Sequence, residues 1–219
     1  MKILLDENKV KITVDKEPYE EGQFIFNKES IILKPGVTVL VGCNGYGKST
    51  FLNICQKLLR AAGIKYIEFD NLRSGGNTAV GDALLTGDLN LAADMITGSE
   101  GEGIFSIFCR KAGCIGDYVR ETDQKNLFVF IDSIDGLSIN AILDLKKDLF
   151  DFAIKDAESK GKTLYFIIAT NDYEMASCGN CLDVHNMQYV SFNSYEEYRK
   201  FILKTVDLKR KRDGVLKDE

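Results

Sequence analysis

Eight consecutive residues, Gly42-Cys43-Asn44-Gly45-Tyr46-Gly47-Lys48-Ser49, carry the spacing G-x-x-x-x-G-K-[ST]. Each fixed position has a chemical reason. Glycines let the backbone curl so that its N–H groups point inward, at the oxygens of a phosphate. A helix starting where the loop ends adds the positive end of its dipole. Lys48 is placed to reach the β- and γ-phosphates of a nucleotide, and the Ser49 hydroxyl to ligate the accompanying Mg²⁺. At average composition these residue types fall at this spacing by chance in about one chain of this length in a hundred. Such a site also needs a carboxylate on a neighbouring strand to hold the metal. The run Phe128-Val129-Phe130-Ile131-Asp132 ends in one. Ser49 and Asp132 are therefore the expected Mg²⁺ ligands. Gly42, Asn44, Gly45, Gly47, Lys48, Ser49 and Thr50 are the expected phosphate-binding residues.

The elements around these residues suit them. Val37 to Val41 is a continuous apolar, β-branched run, the pattern of a strand buried on both faces. Thr50 to Ala62 has Phe51, Leu52, Ile54, Cys55, Leu58 and Leu59 on one helical stripe, with Gly63 as a stop. Tyr66 to Phe69, Leu127 to Ile131 and Leu164 to Ala169 read as further strands. Helices are expected from Gly103 to about Val119 and over 138–159. In the second, Ile139, Ile142, Leu143, Leu149, Phe152 and Ala153 form the apolar face. Alternating strands and helices predict an α/β fold with a mostly parallel, doubly wound sheet. Val10 to Val14, Phe24 to Phe26 and Ser30 to Leu33 predict an antiparallel strand region before it. Tyr189 to Phe192 reads as a strand, and a last helix is expected from about Ser194 to Val206. The length fits one domain over 1–219. A small glycine-rich helical insert is expected over about 71–120, and a basic tail over about 207–219.

With these residues on the page, the chain resembles the ABC-type ATPases. Its loop has their G-x-N-G-x-G-K-S-T form through Thr50. Ser99-Glu100-Gly101-Glu102 is similar to their signature motif, in the S-x-G-E variant. Asp135-Gly136-Leu137-Ser138 stands where they have a dimer-contacting loop, and Asn171 where they have a switch histidine. The resemblance spans roughly residues 24 to 175. It implies a P-loop NTPase fold, ATP as the nucleotide, and a nucleotide-dependent homodimer. Each phosphate loop would face the partner copy's signature, with Ser99, Gly101 and Glu102 near the γ-phosphate. An aromatic ring upstream of the loop would stack on adenine; Tyr19 is the choice over Phe24 and Phe26.

The departures are informative. Ser133 occupies the position of the family's catalytic glutamate, and serine is a poor general base. Asp135 is the nearest acidic residue. No clear Gln-loop follows Phe69. The expected function is thus a Mg-ATP-binding ATPase, slow on its own, coupled to a DNA or protein partner. Lys48, Asp132, Ser133, Asp135 and Asn171 are its candidate catalytic positions. The alternative is a non-catalytic clamp or sensor using ATP as dimer glue. A transporter ATPase subunit is disfavoured, because 51 residues from Lys48 to Ser99 leave little room for a membrane-docking insert. A compact stand-alone member is expected, like the phage, mobile-element and DNA-repair ATPases resembling RecF.

Composition narrows the remainder. Apolar residues make up 45% and charged residues 28%, which excludes wholesale disorder. No apolar stretch approaches the ~20 residues of a membrane helix. The first residues turn acidic too soon for a signal peptide, so a cytoplasmic location with reduced thiols is expected for the six cysteines. A net charge of −5 argues against a uniformly basic nucleic-acid coat protein. Lys209 to Arg212 forms one basic cluster, read as a solvated, frayed tail in preference to a nucleic-acid contact. Cys178-Gly179-Asn180-Cys181, near the single histidine His185, hints at zinc, but a structural site wants a second pair of ligands.

Overall fold

The computed structural model describes residues 1–6, 9–14, 18–20, 23–70, 112–132 and 137–213; for residues 18–20, 23, 24 and 70 it describes the backbone path alone. Among the described residues, β1 (Lys2–Asp6), β2 (Lys9–Thr13) and β5 (Ser30–Leu33) make an antiparallel sheet in the order β1-β2-β5. The short strands β3 (Pro18–Glu20) and β4 (Gln23–Phe24) pair with each other.

The central sheet contains β6 (Gly36–Val41), β7 (Ile67–Asp70), β8 (Asn126–Asp132), β9 (Thr163–Ala169), β10 (Asn180–Asp183) and β11 (Gln188–Val190). Their order is β11-β10-β6-β9-β8-β7, parallel throughout except for β11. The apolar runs explain which strands are central: β6, β8 and β9 are buried along nearly their whole length. The alternation of side chains then divides the core in two. Val39, Val41, Val129, Ile131, Phe166 and Ile168 face one layer of helices. Leu40, Phe128, Phe130, Tyr165 and Ile167 face the other side. There α1 (Lys48–Ala61) is sandwiched against Val10, Ile12 and Leu33 of the antiparallel sheet.

The first face is covered by α2 (112–121), by a long helix α3, and by α4 (Tyr173–Ser177). α3 has three stretches: Ile139–Asp144 as α-helix, Leu145–Asp151 as π-helix and Phe152–Ser159 as α-helix. Finally α5 (Tyr195–Arg212) runs along the edge where both cores meet. Tyr198 packs into one core, and the partly buried Val206 and Leu208 pack against the other.

This is the α/β, mostly parallel sheet with helices on both faces that the alternation implied. Three local expectations differ. β10 was not foreseen, because Asn-Cys-Leu-Asp is too short and too mixed to show a strand period. The last helix continues six residues past Val206 to Arg212. In α3, Ile142, Leu149 and Ala153 are buried as expected, but Ile139, Leu143 and Phe152 are 57%, 50% and 69% exposed. The π turns hold more residues than α turns, so the buried face rotates along the helix. Phe150 takes the inward place, 4.8 Å from the Phe166 ring. Phe150→Ala should therefore cost about 3–5 kcal/mol in urea unfolding, whereas Phe152→Ala should stay within about 0.5 kcal/mol.

Candidate phosphate-binding site

Parallel register puts the carboxyl ends of the strands along one rim. Leu40 and Asp132 both pair with Ala169, Asp183 pairs with Val41, and Asp70 with Asp132. In open α/β sheets the crevice outside this rim is where ligands bind. The chain leaves β6 there through residues 42–47 and enters α1 at once.

The loop needs its glycines. Gly42 has φ 139°, and a Cβ on it would lie 2.1 Å from the Tyr46 ring; Gly47 has φ 109°, and a Cβ would lie 2.6 Å from Ile25 Cγ2. Gly47 is also the cap residue of α1, so no side chain there bonds to the first-turn N–H groups. Lys48 is 8% exposed. Its Nζ donates to the carbonyl oxygens of Gly42 (2.6 Å) and Cys43 (3.2 Å) and to Asn171 Oδ1 (2.8 Å). Asn171, just beyond β9, donates from Nδ2 to Asn44 Oδ1 at 2.7 Å. Its own carbonyl accepts from the Tyr198 hydroxyl of α5 at 2.8 Å. Ser49 Oγ donates to Asp132 Oδ1 at 3.2 Å.

The structure thus brings Gly42, Asn44, Gly45, Gly47, Lys48, Ser49, Thr50, Asp132 and Asn171 to one place. The hydroxyl and carboxylate of Ser49 and Asp132 are hard oxygen donors, side by side, of the kind Mg²⁺ takes. Ser99, Gly101, Glu102, Ser133 and Asp135 lie outside the described residues, as does the side chain of Tyr19. Phe26 is a core residue, edge-on to Phe51 at 6.3 Å.

Sequence reasoning missed what stands behind the loop. Tyr46 is 2% exposed and tilted against the His185 ring at 5.4 Å. Burial, and then the nearby Asp183 carboxylate, push its phenol well above the ordinary range. Asp183 is itself buried. Its carboxylate accepts from the backbone N–H of His185 and Asn186 and from the Asn186 side chain. His185 Nδ1 donates to the Ile25 carbonyl. The only histidine is thus engaged in holding the chain together.

The basic cluster is also placed differently from the frayed tail expected. Lys209 to Arg212 lie within α5. Arg212 Nη2 donates to the Gly45 carbonyl at 3.0 Å. The Lys209 side chain covers Gly45, its Nζ 2.8 Å from where a Cβ would be. One turn earlier, Thr205 Oγ1 accepts from the Cys43 backbone N–H at 3.0 Å. Thr205, Lys209 and Arg212 stand at i, i+4 and i+7, one helical face. That spacing is the signal that was available in the sequence.

Cys178 and Cys181 donate their thiols to carbonyl oxygens, those of Glu174 and Ala176. Among the described residues no cluster of three or more His, Cys, Asp or Glu could hold a metal ion. Burial pushes the Cys181 thiol up to about 11.

No protein-family model and no curated protein sequence matches the chain. Solved structures similar to it include the ADP conformation of an ATP-binding cassette of an ABC transporter, at 15% identity and TM-score 0.49 over 92% of this chain and 98% of that one. A nucleotide-free ATP-binding cassette from an ABC transporter shares 15% identity over the same proportions, with TM-score 0.48. The ATP binding subunit of an ABC transporter shares 15% over 91% and 98%, with TM-score 0.38. The class itself rests on the molecule's own features: a strand–glycine loop–helix unit on a parallel sheet, with β9 between the loop strand and the acidic strand. The fold is that of the P-loop NTPases.

Two outcomes test this geometry. Gly42→Ala should lower the urea midpoint by the equivalent of about 2 kcal/mol, because strain and clash coincide there. At pH 8, Cys181 should react with a thiol reagent roughly a hundredfold more slowly than the exposed Cys114, since little of it is thiolate. Zinc should leave its rate unchanged.

Proposed function

We propose that this chain is a Mg²⁺-dependent ATP-binding protein with ATPase activity, two copies of which close around the nucleotide. The observation that carries the reading is the Lys48 ammonium, held among the Gly42 and Cys43 carbonyls and Asn171, beside the Ser49–Asp132 pair. In this reading Lys48 exchanges its two loop carbonyls for β- and γ-phosphate oxygens. Ser49 and Asp132 would hold Mg²⁺, which would supply positive charge to offset that of the phosphates. Thr50 and the first turn of α1 take the remaining oxygens. Asn171, already bonded to both Lys48 and Asn44, senses the terminal phosphate. Ser99, Gly101 and Glu102 of the second copy close the site from the opposite side, and Tyr19 stacks on adenine. The preference for ATP over GTP follows the sequence resemblance alone.

Turnover is slow in this reading. Ser133 follows Asp132 where a carboxylate would orient water, leaving Asp135 as the nearest base. The same serine favours a second reading, a clamp that binds ATP and barely hydrolyses it, opening when a DNA or protein partner acts. Among the described residues no helix is long and apolar enough to cross a membrane. The ABC-transporter subunit remains the third and least favoured reading, and cytoplasmic reduced thiols the expected setting.

The test is sizing by light scattering with and without Mg-ATP, while phosphate release is followed in the same samples. A dimer that appears with ATP and releases phosphate supports the ATPase. A silent ATP-dependent dimer supports the clamp, and Ser133→Glu should then raise turnover at least tenfold. A monomer in both conditions removes the dimer from the reading. Lys48→Ala should weaken ATP binding by about a hundredfold, two charge-assisted bonds lost. Asp132→Asn should abolish the Mg²⁺ dependence of binding.

A further inference from the structure

The basic end of α5 reaches the phosphate loop from 160 or more residues away in sequence. Its three contacts are of three kinds. Thr205 accepts a loop N–H, Arg212 donates to a loop C=O, and Lys209 lies over the α-carbon between them. Thr205 is 1% exposed and passes its own proton to the Ile202 carbonyl, so its lone pair is fixed toward Cys43. The Arg212 side chain is 14% exposed and forked, with Nε on Asp213 at 3.0 Å and Nη2 on Gly45. Such an arrangement exceeds what a solvated helix end needs. It also falls on an exposed part of the loop, Asn44-Gly45.

We propose that Arg212, with Lys209, is a positioning element of the phosphate site. The α5 helix holds the Cys43–Gly45 backbone in its anion-ready curl, and its two cations raise the local potential for a polyphosphate. This rests on the nucleotide reading above and goes beyond it by naming residues outside every recognised motif. Two physical effects combine. A glycine loop loses backbone freedom when it closes on an anion, and a brace already in place removes that cost from binding. Arginine on a carbonyl is a charge-assisted bond, stronger than a neutral one. Asp207 and Asp213 lie at this end of the helix, and Asp213 offsets part of the Arg212 charge.

The experiment uses the full chain with two probes, Mg-ATP and Mg-pyrophosphate, by calorimetry at low and high salt. Arg212→Ala should weaken both probes roughly tenfold, the worth of one charged hydrogen bond. Arg212→Lys should recover most of that loss. Arg212→Gln, which keeps a donor and drops the charge, should recover part of it and show a shallower salt dependence than the natural chain. Lys209→Ala should weaken binding about threefold, mainly at low salt. Unfolding midpoints without ligand separate bracing from simple stability. The proposal is overturned if Arg212→Ala binds both probes within twofold of the natural chain. It is equally overturned if its loss tracks a lowered midpoint and Arg212→Lys restores neither. If the natural chain binds neither probe, the nucleotide reading itself fails, a result distinct from the first two.

Discussion

A lysine ammonium buried to 8% exposure has to be surrounded by oxygen, because an unpaired charge away from water costs several kcal/mol. Around Lys48 that requirement is met by two backbone carbonyls from its own loop and by one side-chain oxygen from a distant segment. The loop can present Gly42 and Cys43 carbonyls to it only because Gly42 and Gly47 take positive φ. Asn171 can present its amide only because β9 is packed directly beside β6 and ends level with it. Much of the sheet's order can be read from this one cation outward. An acceptor must come off the neighbouring strand, and the acidic strand β8, one further away, places Asp132 within reach of Ser49.

The loop is then held on two sides by groups that lie outside the loop itself. On one side Tyr46 is driven inward against His185, and Asp183 orders the turn after β10 through three N–H donors. On the other side α5 supplies Thr205, Lys209 and Arg212, while its Tyr198 fixes the Asn171 backbone. Glycine-rich segments have many conformations of similar energy. Their precision here comes from neighbours, not from the residues of the loop.

That division explains what could be read in the sequence. The strands flanking the site are fully buried, so their residues are apolar without interruption, and β6, β8 and β9 stand out. The loop spacing and Asp132 are legible because the chemistry proposed for them tolerates few substitutes for Lys48, Ser49 or a carboxylate. The supports are chemically ordinary and so were not seen. Asn-Cys-Leu-Asp gives no strand period, yet β10 pairs with the loop strand. The π stretch in α3 breaks the helical period on which the expected apolar face was drawn, exposing Phe152 and burying Phe150. Lys209 to Arg212 has the composition of a solvated tail, and only the i, i+4, i+7 stripe from Thr205 distinguishes it. Ser99 to Glu102, read from the sequence as a signature motif, and the 133–136 segment lie beyond what the structure describes.

The order in which the parts leave the ribosome has a consequence of its own. The glycine loop is complete when residue 50 is made, but the groups that hold it come much later. Asn171 lies 123 residues downstream of Lys48, Thr205 162 beyond Cys43, and Arg212 167 beyond Gly45. At translation rates of about 5–20 residues per second, the loop strand waits roughly 6–28 seconds for its two neighbours, β9 and β10. Through that interval both of its edges lack their partner strands, and Phe128 to Ile131, once made, have β7 but wait for β9. A nascent chain of this design cannot set its loop early and fold the rest around it. Synthesis has to reach Arg212 before the loop has all of these supports, and the interval before then is when a chaperone would have most to cover.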